Sequence, residues 1–204
     1  MSLARRLERL AHMDPIAILI LAAGASSRMR GRDKLCEDAA GQPLLSRVVT
    51  RAMATRIPVL VTLPGPEHPR TGLIGGAGAV FVPDAQEGMG ASIRAGVAAL
   101  PPGTRAVMIL PADMPDITTA DLETMRDAFR AAPDQVHRAT SEDGTPGHPV
   151  VFPARLFPAL LTLRGDAGAR AVLRGEAIRL VPLPDRHALT DLDTPEDFAA
   201  WRNV

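Results

Sequence analysis

At 204 residues the chain has room for one α/β domain, which on folding buries about 70% of the surface its unfolded form exposes. Lys and Arg together number 23 and so do Asp and Glu, a balance that argues against a nucleic-acid binder held by a basic face. Aromatic residues at 3% argue against a base-stacking platform, and a single cysteine, Cys36, excludes an internal disulfide and a Cys-rich zinc site.

The first residues raise a targeting question. Arg5 and Arg6, followed by the apolar stretch from Ile16 to Ala25, mimic the opening of a signal peptide. Glu8 and Asp14 interrupt that pattern, and the run falls short of the about 20 apolar residues a membrane span takes. The stretch reads better as the first strand of a cytoplasmic protein, with neither membrane nor nucleic acid as a partner. Leu3, Leu7 and Leu10 fall at helical spacing, so residues 1–14 are an N-terminal extension, either a short docked helix or a frayed tail, with Met13 an alternative start. The main domain is expected over 15–204.

Ile16-Ala17-Ile18-Leu19-Ile20-Leu21 is a continuous apolar run suited to a strand covered on both faces. Leu44, Leu45, Val48, Val49 and Ala52 then repeat at helical spacing after Pro43. Val59 to Thr62 is a second strand, followed by a Pro/Gly-rich connection and a short strand from Ala79 to Val82. Ile93, Val97 and Leu100 mark a helix that Pro101 and Pro102 stop, and Ala106 to Leu110 is another buried strand. Thr118 or Thr119 caps a helix with Leu122, Met125 and Phe129 on one face. Beyond Pro133 the pattern loosens: a polar turn at Glu142-Asp143-Gly144, a strand from Pro149 to Phe152, helical material around Ala159 and Ala171, and a strand from Ile178 to Val181. Thr194-Pro195-Glu196-Asp197 opens a last helix with a capping Thr, a Pro at the first helical position and acids in the first turn. Strands alternating with helices predict an α/β fold with a single doubly wound, mostly parallel sheet.

Such sheets bind ligands at the carboxyl ends of their strands. The stretch from Leu21 to Lys34 falls there. Leu21, Ala22, Ala23, Gly24 and Ser26 provide small side chains and accessible amides that can cradle phosphate oxygens. Arg28, Arg30, Arg32 and Lys34 add dense local charge to a neutral protein, which points to a small polyanion such as a triphosphate. No Gly-Lys-Ser/Thr follows, so this is not a Walker A loop, and the dinucleotide spacing of glycines is absent. Gly75-Gly76-Ala77-Gly78 precedes a strand and reads as a turn. Pro111-Ala112-Asp113-Met114-Pro115-Asp116 follows a strand directly, and Asp113, set between prolines, is placed to hold Mg²⁺ beside a polyphosphate.

Gly24-x-Ser26-x-Arg28-Met29, with Gly31 and Lys34, resembles the signature of the MobA-like nucleotidyltransferases, closest to the molybdenum cofactor cytidylyltransferase branch. Five further stretches share the resemblance: Gly88 to Gly96, Ala112 to Pro115, Gly147 to Pro149, Gly165 to Arg170, and Asp191 to Asp197. Two departures stand out. Arg30 intrudes between Met29 and Gly31, and Ala23 replaces a second glycine of the guanylyl-transferring branch, which leans the base preference toward CTP.

The resemblance implies a Rossmann-like nucleotidyltransferase fold and transfer of a nucleotidyl group, CMP from CTP, to the terminal phosphate of a phosphorylated acceptor. That acceptor would be molybdopterin, and a molybdoenzyme or its chaperone a partner. It further implies Arg28 and Lys34 on the triphosphate, Mg²⁺ on Asp113 with Asp193 as second ligand, and Asp84 against the nucleotide. Helix capping beside Thr194 is the alternative role for Asp193, and a turn residue that for Asp84. His148 and the stretch from Gly165 to Arg170 would face the acceptor; Arg170 either contacts an acceptor phosphate or is a solvated helix residue. Cys36 is expected to pack as a small hydrophobe. A sugar- or alcohol-phosphate acceptor is an alternative, as is a non-catalytic nucleotide- or cofactor-binding chaperone, although a chaperone could dispense with Asp113 and Lys34.

Overall fold

β1 (Ile16–Leu21) is an inner strand of a seven-stranded sheet, parallel to β2 (Val59–Leu63) on one side and to β4 (Ala106–Pro111) on the other. The computed structural model describes residues 15–202, so the extension expected at 1–14 lies outside the described residues. With β3 (Gly78–Phe81), β5 (Val136–Thr140), β6 (Pro146–Pro153) and β7 (Ile178–Pro182), the strand order is β3-β2-β1-β4-β6-β5-β7. Only β6 runs against its neighbours, antiparallel to both β4 and β5. The sheet is therefore mostly parallel, as expected.

The apolar run of β1 divides by alternation. Ile16, Ile18 and Ile20 join the core beneath α1 (Leu44–Ala54) and α3 (Thr119–Ala131), whereas Leu19 joins Ile93 and Val97 of α2 (Met89–Ala98) on the other face. A Cβ at Gly96 would lie 2.3 Å from Leu19 Cδ1, so α2 reaches the sheet only because glycine stands there. Thr118 caps α3 by a reciprocal pair of bonds with Asp121. α4 (Phe157–Leu160) and a pair of 3-10 turns over Gly165–Ala171 supply the helical material expected near Ala159 and Ala171. α5 (Pro195–Arg202) follows the last strand. Among the described residues no helix is long and apolar enough to cross a membrane.

β5 escaped the sequence pattern because His137 and Arg138 interrupt its apolar residues. The topology fixes where a ligand would sit. From β1 the sheet grows outward through β2 and β3 in one direction and begins again at β4 in the other, so β1 and β4 flank the switch point. Leu21 and Pro111, their last residues, are register partners, so the loops that follow them lie side by side.

Candidate active site

The loop after β1 is seated by backbone and packing contacts. Ala22 N donates to Thr62 O and Oγ1, both at 3.2 Å, and Met29 is fully buried at the end of the 3-10 turn Ser27–Met29. Between these anchors Ser26 adopts a left-handed conformation (φ 51°), leaving Gly24, Ala25, Ser27 and Arg28 exposed. The intruding Arg30 is also left-handed (φ 52°) and is followed by Gly31 at φ 85°. The extra residue thus bulges outward, where Arg30 pairs with Glu196 at 2.6 Å.

A residue without a sequence signal holds this loop. Arg70, 2% exposed, donates to Ala22 O at 2.6 Å, Gly24 O at 2.7 Å and Ser26 Oγ at 2.9 Å, and forms a two-point pair with Asp33. Burial opposes the Asp33 charge, yet the Arg70 bonds outweigh it and hold the carboxyl below its ordinary range. Asp33 therefore stays ionised and fixes the start of the segment that presents Lys34.

Lys34 points into the cleft between two acids. Its Nζ lies 2.5 Å from Asp113 Oδ2 and 2.6 Å from Asp193 Oδ1, and its side chain is only 14% exposed. Burial disfavours the ammonium, but Asp113 and Asp193 outweigh it and raise the pKa above the ordinary lysine value. The acids meet because Leu192 N donates to Asp113 O at 3.0 Å, zipping the C-terminal segment onto the loop after β4. Arg28 forms an ion pair with the other oxygen of Asp193. The α5 cap is made by Thr194 and Asp197, with Asp197 Oδ2 also accepting from Asp193 N, so the Asp193 carboxylate takes no part in it. Asp191 lines the same cleft, and burial followed by the charges of Asp113 and Asp193 pushes its carboxyl up.

These groups border a cleft of about 710 Å³ whose lining includes Leu21, Ala22, Ala23, Gly24, Ser26, Arg28, Lys34, Asp113 and Asp193. Asp84 does not line it; its carboxylate accepts from Arg94 at 3.0 Å, and Arg94 also holds Glu87 and Leu163 O. Ala23 is buried against Val82 and Ala91. Ser92, buried on α2 within the Gly88 to Gly96 stretch that shares the family resemblance, lines the cleft although no role was expected of it. The far wall carries Arg138, Gly147, His148 and Arg170. Cys36 lies outside the lining, and burial together with Asp33 pushes its thiol up to about 11, which removes it from reactive chemistry at neutral pH.

A metal fits the donor set without a preformed cage. Asp113 Oδ1 is buried and has no hydrogen-bond partner, an oxygen left over from the Lys34 contact. Among the described residues no three His, Cys, Asp or Glu side chains gather as a ready cation site. Mg²⁺ needs no such gathering, because one or two carboxylates and substrate phosphates complete its shell.

The chain is similar to known proteins over most of its length. PucB of Bacillus subtilis (strain 168), a purine catabolism protein, is 28% identical, with 91% of this chain and 95% of the relative covered. The crystal structure of Rv0371c from Mycobacterium tuberculosis H37Rv superposes with a TM-score of 0.82 at 23% identity, covering 93% of this chain and 98% of that one. Its complex with manganese superposes at 0.77 and 22% identity, covering 91% and 97%. Molybdopterin-guanine dinucleotide biosynthesis protein A from Archaeoglobus fulgidus reaches a TM-score of 0.69 at 14% identity, covering 92% and 97%; at such identities the structural likeness is one of fold. Residues 18–183 match the MobA-like NTP transferase domain, from within β1 to just past β7. The chain belongs to the MobA-like NTP transferase family and is a nucleotidyltransferase.

Proposed function

We propose that the chain transfers CMP from CTP to the terminal phosphate of molybdopterin and releases pyrophosphate, within a transferase unit over 15–204 preceded by an extension at 1–14. The observation that carries this assignment is the placement of Lys34 between Asp113 and Asp193 at the switch point, beside a loop of small residues with accessible amides. An oxygen of the acceptor phosphate attacks the α-phosphorus of the nucleotide. The bond from that phosphorus to the β-bridging oxygen breaks, and pyrophosphate departs with the electron pair.

Such a transfer asks for positioning and charge stabilisation more than for a nucleophilic side chain. Leu21, Ala22, Ala23, Gly24 and Ser26 would cradle the nucleotide, and Arg28 and Lys34 would grip the triphosphate and offset charge on departing pyrophosphate. Asp84 would serve indirectly, by anchoring Arg94 behind the 85–89 wall. Asp113 and Asp193 would hold Mg²⁺, and when bound the ion supplies charge neutralisation across the phosphates. The cytidine dinucleotide product would pass to a molybdoenzyme or its chaperone. Incubation with molybdopterin, Mg²⁺ and each of four nucleoside triphosphates, followed by pyrophosphate release, tests the assignment. CTP should be the best donor; a preference for GTP would remove the cytidylyl assignment, and no release with any donor would remove the acceptor.

A further inference from the structure

Lys34 and the two acids beside it carry two assignments that one arrangement does not satisfy at once. The ammonium lies 2.5 Å from Asp113 Oδ2 and 2.6 Å from Asp193 Oδ1, between the two carboxylates that would hold Mg²⁺. Mg²⁺ binds oxygen at about 2.0–2.1 Å, so an ion shared by those two oxygens would take the place of Nζ. Arg28 pairs with Asp193 Oδ2. Three of the four oxygens on the two acids therefore face side-chain cations, and the fourth, Asp113 Oδ1, is buried without a hydrogen-bond partner.

The charges point the same way. Arg28 and Lys34 balance Asp113 and Asp193, while Asp191, which also lines the cleft, is exposed and screened by solvent. A divalent ion entering alone would meet an ammonium of like sign with no new anion to receive it. A triphosphate changes that balance, because it carries more negative charge than one Mg²⁺ cancels. It offers Lys34 and Arg28 new partners as the ion takes their old ones.

Only a side chain has to move. Asp33, before Lys34, is held by Arg70 through two bonds of 2.7 Å, and Leu35, after it, is buried with its carbonyl accepting from Leu45 N at 3.0 Å. The acids are fixed as well: Leu192 N donates to Asp113 O at 3.0 Å, and Asp193 N donates to Asp197 Oδ2 at 3.0 Å. The flexible four-carbon stem of Lys34 thus swings between fixed points.

We propose that Lys34 is the resident counter-cation of the Asp113–Asp193 pair and yields it to Mg²⁺ when a triphosphate arrives to receive the ammonium. Metal and nucleotide are thereby taken up together, and the free protein resists loading with metal alone. This rests on the metal and triphosphate assignments above and deepens them, joining the two in one exchange.

The test measures binding of Mn²⁺ alone, an oxygen-seeking octahedral ion followed by the magnetic resonance signal of its free form. Wild type is compared with Lys34→Met, Lys34→Arg and Arg28→Met, and the Mn²⁺ complexes of tripolyphosphate and CTP are titrated calorimetrically in parallel. A competitor that leaves its site open in about a tenth of the molecules lowers apparent affinity about tenfold, so Lys34→Met should bind Mn²⁺ alone about tenfold more tightly than wild type. The same variant should bind the Mn²⁺–tripolyphosphate complex more weakly, a change of opposite sign. Lys34→Arg keeps a cation on the acids and should take Mn²⁺ as poorly as wild type, and Arg28→Met should gain less than Lys34→Met. Equal or weaker Mn²⁺ binding in Lys34→Met, an equal gain in Arg28→Met or Lys34→Arg, or unchanged tripolyphosphate binding in Lys34→Met would overturn the proposal. Lys34→Gln asks the same question if Lys34→Met folds poorly. The Mn²⁺ and tripolyphosphate pattern holding while CTP fails to bind would support the exchange and count against the nucleotide reading alone.

Discussion

Arg70 meets Asp33 through two bonds, Nε to Oδ2 and Nη2 to Oδ1, each 2.7 Å long. The same guanidinium takes up two carbonyls of the loop after β1, so one buried side chain ties β2's following segment to both ends of the candidate phosphate cradle.

Replacing Arg70 by Met keeps much of its volume but leaves Asp33 and the carbonyls of Ala22 and Gly24 without their donor. Breaking a buried ion pair from one side costs about 3–5 kcal/mol, so the denaturation midpoint should fall accordingly. Arg70→Lys should recover little, since an ammonium cannot match the planar fork. Urea unfolding of both variants checks this; a loss below about 1 kcal/mol would show that the loop does not depend on Arg70.

Asp113→Asn and Asp193→Asn separate phosphate chemistry from capping. Each removes one acid from Lys34, and activity in Mg²⁺ should drop on the order of 10²–10³, as for loss of one preorganised charge contact. Because Thr194 and Asp197 make the α5 cap, Asp193→Asn should leave that helix intact. Calorimetric titration of Mg²⁺–CTP should show weakened metal-dependent binding in both; wild-type metal dependence in Asp113→Asn would contradict the ligand assignment.

His137 is fully buried on β5, with its ring at 78° to Phe129 and 5.9 Å between centroids. Burial holds its folded-state pKa below the ordinary value, so unfolding takes up a proton once pH drops below about 6.5. Stability should therefore fall as pH decreases through and below that value, by at most about 1.4 kcal/mol per pH unit for this one group. His137→Phe should flatten that part of the profile. An unchanged slope between pH 7 and 5 would show that His137 is not its source.

The proposed preference for CTP places base choice at Ala23. Its methyl packs against Val82 and Ala91 at the cleft wall, leaving less room there than glycine would. CTP should exceed GTP in kcat/KM, and Ala23→Gly should narrow the gap by about tenfold, the scale of one methyl-sized change in a pocket. A ratio unmoved by Ala23→Gly would place base selection elsewhere.

Much of the sheet was legible because β1 and β4 are apolar and buried on both faces. The runs of β1 and β4 and the Thr194-Pro195 helix start appear where local composition places them. The direction of β6 was not legible, since Val150-Val151-Phe152 buries the same residues whichever way the strand runs. β5 was missed because a buried histidine and a half-buried arginine break its pattern. Lys34 lies 79 residues from Asp113 and 159 from Asp193, and no periodicity links such distant positions; strand-end placement and family resemblance singled them out. Arg70 had neither aid. A lone arginine in a Pro/Gly-rich connection looks like solvent-exposed charge until the fold buries it.

The proposed grip of Lys34 on the triphosphate is tested most directly by pyrophosphate release from CTP and molybdopterin, comparing wild type with Lys34→Ala at matched folded fraction. The expected result is loss of turnover on the order of 10²–10³. Arg28→Ala, exposed and paired with the same Asp193, should fall in the same direction. A Lys34→Ala protein that folds and releases pyrophosphate at close to the wild-type rate would contradict it.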